Sequence, residues 1–178
     1  MRASVETKIR GYSLGDSVGH CQVPPELGEH AAACAAAFFG EQEQQGFHEL
    51  VDTRPVPSRF KHLGQTWISA AARMKALGYR PTTRHQHWVL TAGVETHSDD
   101  AFGPILVWTV HNDGLQFWQR GGARRTPAAG DIMIFDDRID HSMDLTRAQM
   151  KNTKFDRAVW IGWAIALDQE GDCNEKAS

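Results

Sequence analysis

The sequence has few cysteines, and none of the spacings that cysteine chemistry needs. Cys21, Cys34 and Cys173 are the three in 178 residues, and they lie far apart. No Cys-x-x-Cys pair indicates a structural zinc site or a redox centre. An odd number of widely separated cysteines is typical of a reducing compartment, so we expect a cytoplasmic protein.

Long apolar runs and an excess of basic residues are also absent. The first residues, MRASVETKIRGYSLGD, carry charges where a secretory signal needs an apolar stretch, and no window approaches the roughly 18 apolar residues of a membrane span. The formal net charge is -3, which gives no basic field for sequence-independent binding to nucleic acid. We therefore expect a soluble protein with no membrane partner, and the charge does not favour a nucleic acid as a partner.

The chain does contain enough apolar material for one packed domain. Hydrophobic residues make up 41% of it and include six Trp, with eight Phe, which suits a domain of ordinary size with a buried core. We expect a single domain over 1–178. Its predicted parts are an irregular segment or edge strand at 1–25, supporting helices within 26–78, a β-rich core at 79–167 and a tail at 168–178.

Two helices are predicted in the N-terminal half. The Ala-rich run from Glu26 to Phe39 has high helix propensity, and Gly40 is its expected stop. A second helix follows Ser58, because apolar residues recur there at three- and four-residue steps. Ser58 is placed to cap this helix and Gly78 to end it.

After Tyr79, short apolar runs separated by Gly, Pro, Asn and Asp replace the helical period, which indicates β-strands. The candidate strands are 87–92, 105–110, 115–118, 132–135 and 158–167. Their short, regular spacing favours a barrel or a sandwich. The tripeptide Asn112-Asp113-Gly114 between two of them is a hairpin signal.

Two His-x-Asp triplets are candidates for a metal site. In His97-x-Asp99 the two side chains lie two positions apart on an extended segment, so they project to the same side and can reach one ion. In His111-x-Asp113 the aspartate falls in the Asn-Asp-Gly turn, where its carboxylate more naturally bonds nearby backbone. We therefore favour His97 and Asp99 as ligands and interpret the second triplet as structural.

His141 is the candidate third ligand, because it follows the predicted strand 132–135 and an acidic turn. Two histidines and one carboxylate form a facial triad that leaves coordination positions open for a co-substrate and O2, as in non-haem Fe(II) oxygenases. Zinc-dependent hydrolysis is the competing use of the same ligands. A cupin-type metal pair at His85-x-His87 is a weaker alternative, because Glu95 is too far along the chain to complete it.

Over residues 84–166 the order of these motifs resembles the Fe(II)/2-oxoglutarate-dependent dioxygenase superfamily, including its isopenicillin N synthase-like branch. Gly93 precedes the His97-x-Asp99 triplet, and the run ILVWTV leads into NDGLQF, which is similar to the family's D-G-L-Q hairpin. The segment PAAGD before an apolar strand is similar to the family's P-x-x-G-D, and His141 stands where the distal ligand belongs. The resemblance implies an α+β, mainly β fold, a double-stranded β-helix of cupin-like jelly-roll type braced by N-terminal helices.

The resemblance also implies an enzyme. It would bind Fe(II) through His97, Asp99 and His141 and use O2 and 2-oxoglutarate as co-substrates. Succinate and CO2 would be released as a C–H bond is hydroxylated. The compact chain favours a small-molecule substrate. A protein or nucleic-acid substrate, a cupin-type metal enzyme without 2-oxoglutarate, and a binding module without turnover are the alternatives, and no pattern indicates the oligomeric state.

The resemblance further implies an arginine, on the strand after the distal histidine, that grips the far carboxylate of 2-oxoglutarate. Arg157 fits this role, and Arg147 is a fallback; a guanidinium can hold a carboxylate by two parallel hydrogen bonds. By strand alternation Arg157 shares a face with an apolar wall formed by the residues Val159, Ile161, Trp163 and Ile165. The hydroxyl often found two residues after the arginine is here Val159.

Two further features bear on the substrate. Arg120, Arg124 and Arg125 lie in a Gly-rich loop and could steer an anionic substrate toward the barrel, although a solvated loop is the simpler interpretation. The tryptophans of the strands are expected in the core, with Trp108 the one close enough to the metal triplet to lie near the pocket.

Overall fold

The computed structural model of the protein describes residues 8–9, 12–13, 17–44, 51–99, 103–144 and 158–169. The helices in these ranges are α1 (Pro25–Gln44), α2 (Gly64–Ala70) and α3 (Arg73–Ala76), with a 3-10 helix at Ser58–Leu63. The strands are β1 (Lys8–Ile9), β2 (Tyr12–Ser13), β3 (Ser17–His20), β4 (Val51–Pro55), β5 (Tyr79–Thr91), β6 (Val94–His97), β7 (Pro104–Asn112), β8 (Gln116–Gln119), β9 (Asp131–Asp136), β10 (His141–Asp144) and β11 (Trp160–Gln169).

The strands form a jelly roll of two facing sheets. The larger sheet has the order β3-β9-β7-β11-β5-β4 and the smaller sheet the order β6-β10-β8, and the neighbours in both pair antiparallel. From β5 to β11 successive strands alternate between the two sheets. This alternation is the topology of a double-stranded β-helix, so the predicted cupin-like jelly roll is confirmed. Among the described strands, β3 lies at one edge of the larger sheet.

The turn at Asn112 connects the two sheets, and the hairpin prediction is wrong. β7 belongs to the larger sheet and β8 to the smaller one, so the strands that flank the turn do not pair. The Asn112 side chain holds the turn instead: its oxygen accepts the N–H groups of Gly114 and Leu115, and its amide donates to the carbonyls of Leu115 and Pro127. Gly114 has a φ of 116°, a conformation that glycine adopts at little cost.

The first predicted helix is longer than expected. α1 continues through Gly40 to Gln44. A Cβ added at Gly40 would meet nothing within 4 Å, so this glycine lies on an open surface and does not end the helix. No helix in the described part of the chain is both long and apolar enough to cross a membrane.

The second predicted helix is broken into three short pieces, and the 3-10 helix begins at Ser58 without a side-chain capping bond. The break between α2 and α3 falls where β3 crosses the end of α2. A Cβ on Gly19 would lie 2.3 Å from the carbonyl oxygen of Ala70, and the chain leaves the helical conformation at Ala71, with φ −82° and ψ 45°. Tertiary packing therefore overrides the helical period of this segment.

Two hydrophobic clusters lie on opposite faces of the larger sheet. The larger cluster joins the helices to the outer face and includes Phe38, Trp67 and Trp163. The smaller cluster lies between the sheets and includes Met133 of β9 and Met143 of β10. The candidate ligands border this inner space.

Candidate metal centre

His97, Asp99 and His141 meet at one point between the sheets. His97 ends β6, His141 begins β10, and the two are cross-strand neighbours. Their ring centroids are 4.4 Å apart, and His97 Nε2 lies 3.5 Å from Asp99 Oδ2. One potential ligand atom from each of the three residues lies within 4.8 Å of the others. The three predicted ligands are thus brought together and could hold one metal ion.

Each histidine is oriented by a backbone carbonyl. Nδ1 of His97 lies 2.7 Å from the oxygen of Glu95, and Nδ1 of His141 lies 3.0 Å from the oxygen of Ile139. Because a carbonyl can only accept, both Nδ1 atoms carry a proton, and in the neutral imidazole the lone pair is then on Nε2. This is the tautomer that a metal ion requires at Nε2, and an outer carbonyl commonly fixes it in metal sites.

The two histidines differ in burial. Burial lowers the pKa of His141 below its ordinary value, and the neighbouring His97 acts in the same direction, against the hydrogen bond to Ile139 and the nearby carboxylates. His141 is therefore neutral at neutral pH, the form in which an imidazole binds a metal. The side chains of His97 and Asp99 are 34% and 53% exposed, so the centre has an open side.

The triad borders a cavity of about 210 Å³ between the sheets. Most of the lining is apolar and includes the aromatic rings of Phe117, Phe135 and Trp160. The polar lining residues outside the triad are Thr53, His87, Thr91, Asp137 and Ser142. Within the described part of the chain, no arginine or lysine lines this cavity.

The wall predicted to share a face with Arg157 lies on the other side of the sheet. β11 presents Trp160 and Ala164 to the cavity. The residues of the predicted wall, Val159, Ile161, Trp163 and Ile165, all pack in the helix-side core. Arg157 itself, like Arg147, lies outside the described residues.

Trp160 is the tryptophan of the cavity, and the expectation for Trp108 is wrong. Trp108 lies in the helix-side core, where its Nε1 donates to the carbonyl of Cys21 at 2.9 Å. The Trp160 indole lies across Gly162 on the inner face of β11, with Nε1 3.3 Å from Thr109 Oγ1. Closeness along the chain to the metal triplet suggested Trp108, but strand alternation turns that side chain to the opposite face.

The second triplet has the structural role that the sequence predicted. Asp113 Oδ2 accepts the N–H of Val159 at 3.1 Å, and the Asp113 N–H donates to the Val159 carbonyl at 3.1 Å. Its other oxygen lies 3.0 Å from His111 Nε2. The carboxylate therefore bonds backbone, as predicted, but backbone that is 46 positions away, and it ties the turn to the start of β11.

Two of the loop arginines, Arg120 and Arg124, are paired with carboxylates. Arg120 forms an ion pair with Asp140, and Arg124 lies 2.6 Å from Asp144. These contacts offset the positive charge of the loop, which favours the solvated-loop interpretation over substrate steering.

The cupin-type alternative concerns two residues of β5. His87 lines the cavity. The side chain of its suggested partner His85 lies outside those described, so the pair is not tested.

Two buried polar residues beside the triad were not predicted from the sequence. Gln119 is 1% exposed and Asp137 is 3% exposed. Both look like ordinary surface polar residues in the sequence. The acidic turn directly before His141 was the one available signal, because it places Asp137 next to a predicted ligand.

The known proteins to which this chain is similar are distant from it in sequence. No family model and no curated protein matches the chain. A cupin-like protein from Thermotoga maritima is 10% identical with a TM-score of 0.35, and the match covers 68% of both chains. A Pseudomonas putida prolyl-4-hydroxylase is 14% identical with a TM-score of 0.41, covering 83% of this chain and 89% of that one. EvdMO1 is 15% identical with a TM-score of 0.42, covering 84% of this chain and 46% of its own.

Proposed function

We propose that this chain is a non-haem Fe(II)- and 2-oxoglutarate-dependent oxygenase that hydroxylates a C–H bond of a small molecule. The supporting observation is the triad of two histidines and one carboxylate, whose ligand atoms lie within 4.8 Å of one another beside an apolar cavity. Nε2 of His97, Nε2 of His141 and the Asp99 carboxylate would hold the iron on one side. A triad of this kind would leave the ion able to accept further ligands, such as a co-substrate and O2.

The residues of the chain would bind the ion, orient the ligating imidazoles and keep water out of the cavity. Bound iron would supply, with O2 and 2-oxoglutarate, the oxidising power to break a C–H bond, with succinate and CO2 as co-products. The carbonyls of Glu95 and Ile139 keep the ligating imidazoles in the required tautomer. The aromatic and aliphatic lining limits access of water and suits a substrate that presents an apolar group. A protein or nucleic-acid substrate that inserts such a group is the alternative.

Arg157 is proposed as the anchor for the far carboxylate of 2-oxoglutarate. The described lining contains no arginine or lysine, so a dianionic co-substrate needs a cation from elsewhere in the chain. Arg157 is the candidate that the order of motifs indicates, because it comes just before β11, the strand that follows His141 in the chain. A guanidinium can bind a carboxylate by two hydrogen bonds, which lysine cannot match.

A cupin-type metal enzyme that does not use 2-oxoglutarate is the second candidate. The observation that favours it is that the described lining of the cavity contains no arginine or lysine to bind 2-oxoglutarate, which is a dianion. Such an enzyme would use the triad to bind its substrate directly to the ion.

Anaerobic addition of 2-oxoglutarate to the Fe(II)-loaded protein distinguishes the two candidates. The oxygenase proposal expects a visible charge-transfer band, because an α-keto acid chelates Fe(II), and succinate release when O2 is admitted. Asp99→Ala should abolish both signals. Arg157→Gln should weaken 2-oxoglutarate binding by about ten- to a hundredfold, the effect of losing a charged hydrogen-bond pair, while Fe(II) still binds.

Arg147→Gln is the matched control and should behave as the wild type. If Arg147→Gln loses the co-substrate and Arg157→Gln does not, the anchor is Arg147. Wild-type protein that binds Fe(II) through Asp99 but gives neither band nor succinate would favour the cupin-type enzyme. Absence of Asp99-dependent Fe(II) binding would refute both candidates.

A further inference from the structure

We infer that Asp137 is a positioning residue that holds the metal ligand Asp99 in place before an ion binds. The inference rests on the proposed function in one respect, that a divalent ion binds at the triad. It does not depend on 2-oxoglutarate or on the substrate.

Asp137 bonds both described residues that flank positions 100–102. Its carbonyl oxygen accepts the N–H of Asp99 at 2.8 Å, and its own N–H donates to the carbonyl of Gly103 at 3.1 Å. Its carboxylate Oδ1 accepts the N–H of Gly103 at 2.6 Å. One buried residue thus fixes the backbone on both sides of the segment that follows Asp99.

Asp99 needs such support because it lies outside the strand pairing. β6 ends at His97, whose cross-strand partner is His141. Asp99 is two residues farther along, and its side chain is 53% exposed. The hydrogen bond to Asp137 therefore replaces the sheet as the support for this ligand.

The turn that carries Asp137 is itself held by Gln119. This buried side chain accepts the N–H of Asp136 at 3.3 Å and donates to the carbonyls of Asp136 and Ile139. The Ile139 carbonyl also orients His141. The same turn therefore supports two of the three ligands, His141 through Ile139 and Asp99 through Asp137.

The charge of Asp137 also suits a cation site. A buried carboxylate is costly unless hydrogen bonds and a nearby positive charge offset the loss of hydration. The Gly103 N–H supplies one of these interactions, and the charge of the neighbouring Arg138 supplies another. Asp137 lines the same cavity as the triad, so a divalent ion there would supply further compensation.

Cobalt(II) titration of chelator-treated protein, followed by visible absorption, tests the inference. Asp137→Ala keeps the main-chain carbonyl that accepts the Asp99 N–H but removes the carboxylate that accepts the Gly103 N–H. With the turn held from one side only, metal binding should weaken by about ten- to a hundredfold, the usual effect of losing a supporting group around a metal site. Asp137→Asn keeps an oxygen for the Gly103 N–H and should recover much of the loss. Asp140→Asn removes the same charge from the same turn, at a residue paired with exposed Arg120, and should stay within about twofold of the wild type.

Equal affinity of the wild type and Asp137→Ala, or equal losses in Asp137→Ala and Asp140→Asn, would overturn the inference. Absence of Asp99-dependent cobalt binding in the wild type would instead overturn the metal centre itself. Thermal unfolding of each metal-free variant shows whether it folds.

Amide hydrogen exchange in the metal-free wild type gives a second test that needs no variant. The amide protons of Asp99 and Gly103 should be protected, because both donate to Asp137 before any ion is present. Exchange of either at the rate of an unfolded chain would refute the positioning role.

Discussion

The inner face of β11 depends on a single glycine. A Cβ at Gly162 would lie 2.2 Å from the Trp160 indole and 2.8 Å from Val107 Cγ1. Because residue 162 has no side chain, the indole can lie across the strand, where Thr109 Oγ1 holds its Nε1. The absence of a side chain at Gly162 thus allows Trp160 to line the cavity beside the proposed iron ligands.

Gly162→Ala is expected to displace the Trp160 indole and to lower the free energy of unfolding by about 1–3 kcal/mol, the usual cost of overpacking a core. Urea unfolding measures this change. Gly40→Ala is the control: its Cβ meets nothing within 4 Å in α1, and alanine should stabilise the helix by about 0.5–1 kcal/mol. Unchanged stability of Gly162→Ala would contradict the close contact.

At the scale of elements, the interface between β3 and α2 is set by another glycine. The carbonyl that a Cβ on Gly19 would meet at 2.3 Å belongs to the backbone of Ala70, so it cannot rotate away as a side chain can. Gly19→Ala should therefore shift β3 and lower the free energy of unfolding by about 1–3 kcal/mol, measured by urea unfolding. Gly28→Ala, whose Cβ would meet only Val23 at 3.8 Å, should not destabilise the protein, and equal losses in both variants would refute the interface argument.

The strands differ in how well the sequence predicts them. All five predicted strands are present, because each contains a run of apolar or β-branched residues that a buried sheet requires. The strands that carry the ligands, β6 with sequence VETH and β10 with sequence HSMD, have no such run. They are strands because they pair with each other, and β10 also with β8. The residue types therefore predicted the triad, whereas the elements that bring it together depend on tertiary pairing.

At the scale of the whole molecule, the order of motifs predicted the jelly roll, but alternation did not predict which face of β11 lines the cavity. Strand alternation gives two sets of side chains and does not say which set faces inward. β11 also has register shifts against both neighbours, between Ile161 and Gly162 on the β7 side and between Ile165 and Leu167 on the β5 side. The alternation of β11 continues through these shifts, because Val159, Ile161, Trp163 and Ile165 all pack in the helix-side core. The sequence alone therefore grouped these residues correctly but could not assign the predicted wall to one side of the sheet.

An ion at the triad would join parts of the chain that are distant in sequence, His97 and Asp99 on one side and His141 on the other. Because an unfolded chain has no preformed site, the ion should bind the native state and raise the free energy of unfolding by about 2.7 kcal/mol at a hundred times its Kd. For a chain of this size we expect cobalt(II) to raise the Tm of chelator-treated protein by about 5–10 °C. Asp99→Ala alters a half-exposed side chain, so without metal this variant should unfold near the wild-type Tm. Cobalt(II) should not raise the Tm of Asp99→Ala, whereas it should raise the Tm of Asp140→Asn as it does that of the wild type. An undiminished rise in Asp99→Ala would mean that the ion binds elsewhere, because the triad would then lack its only carboxylate.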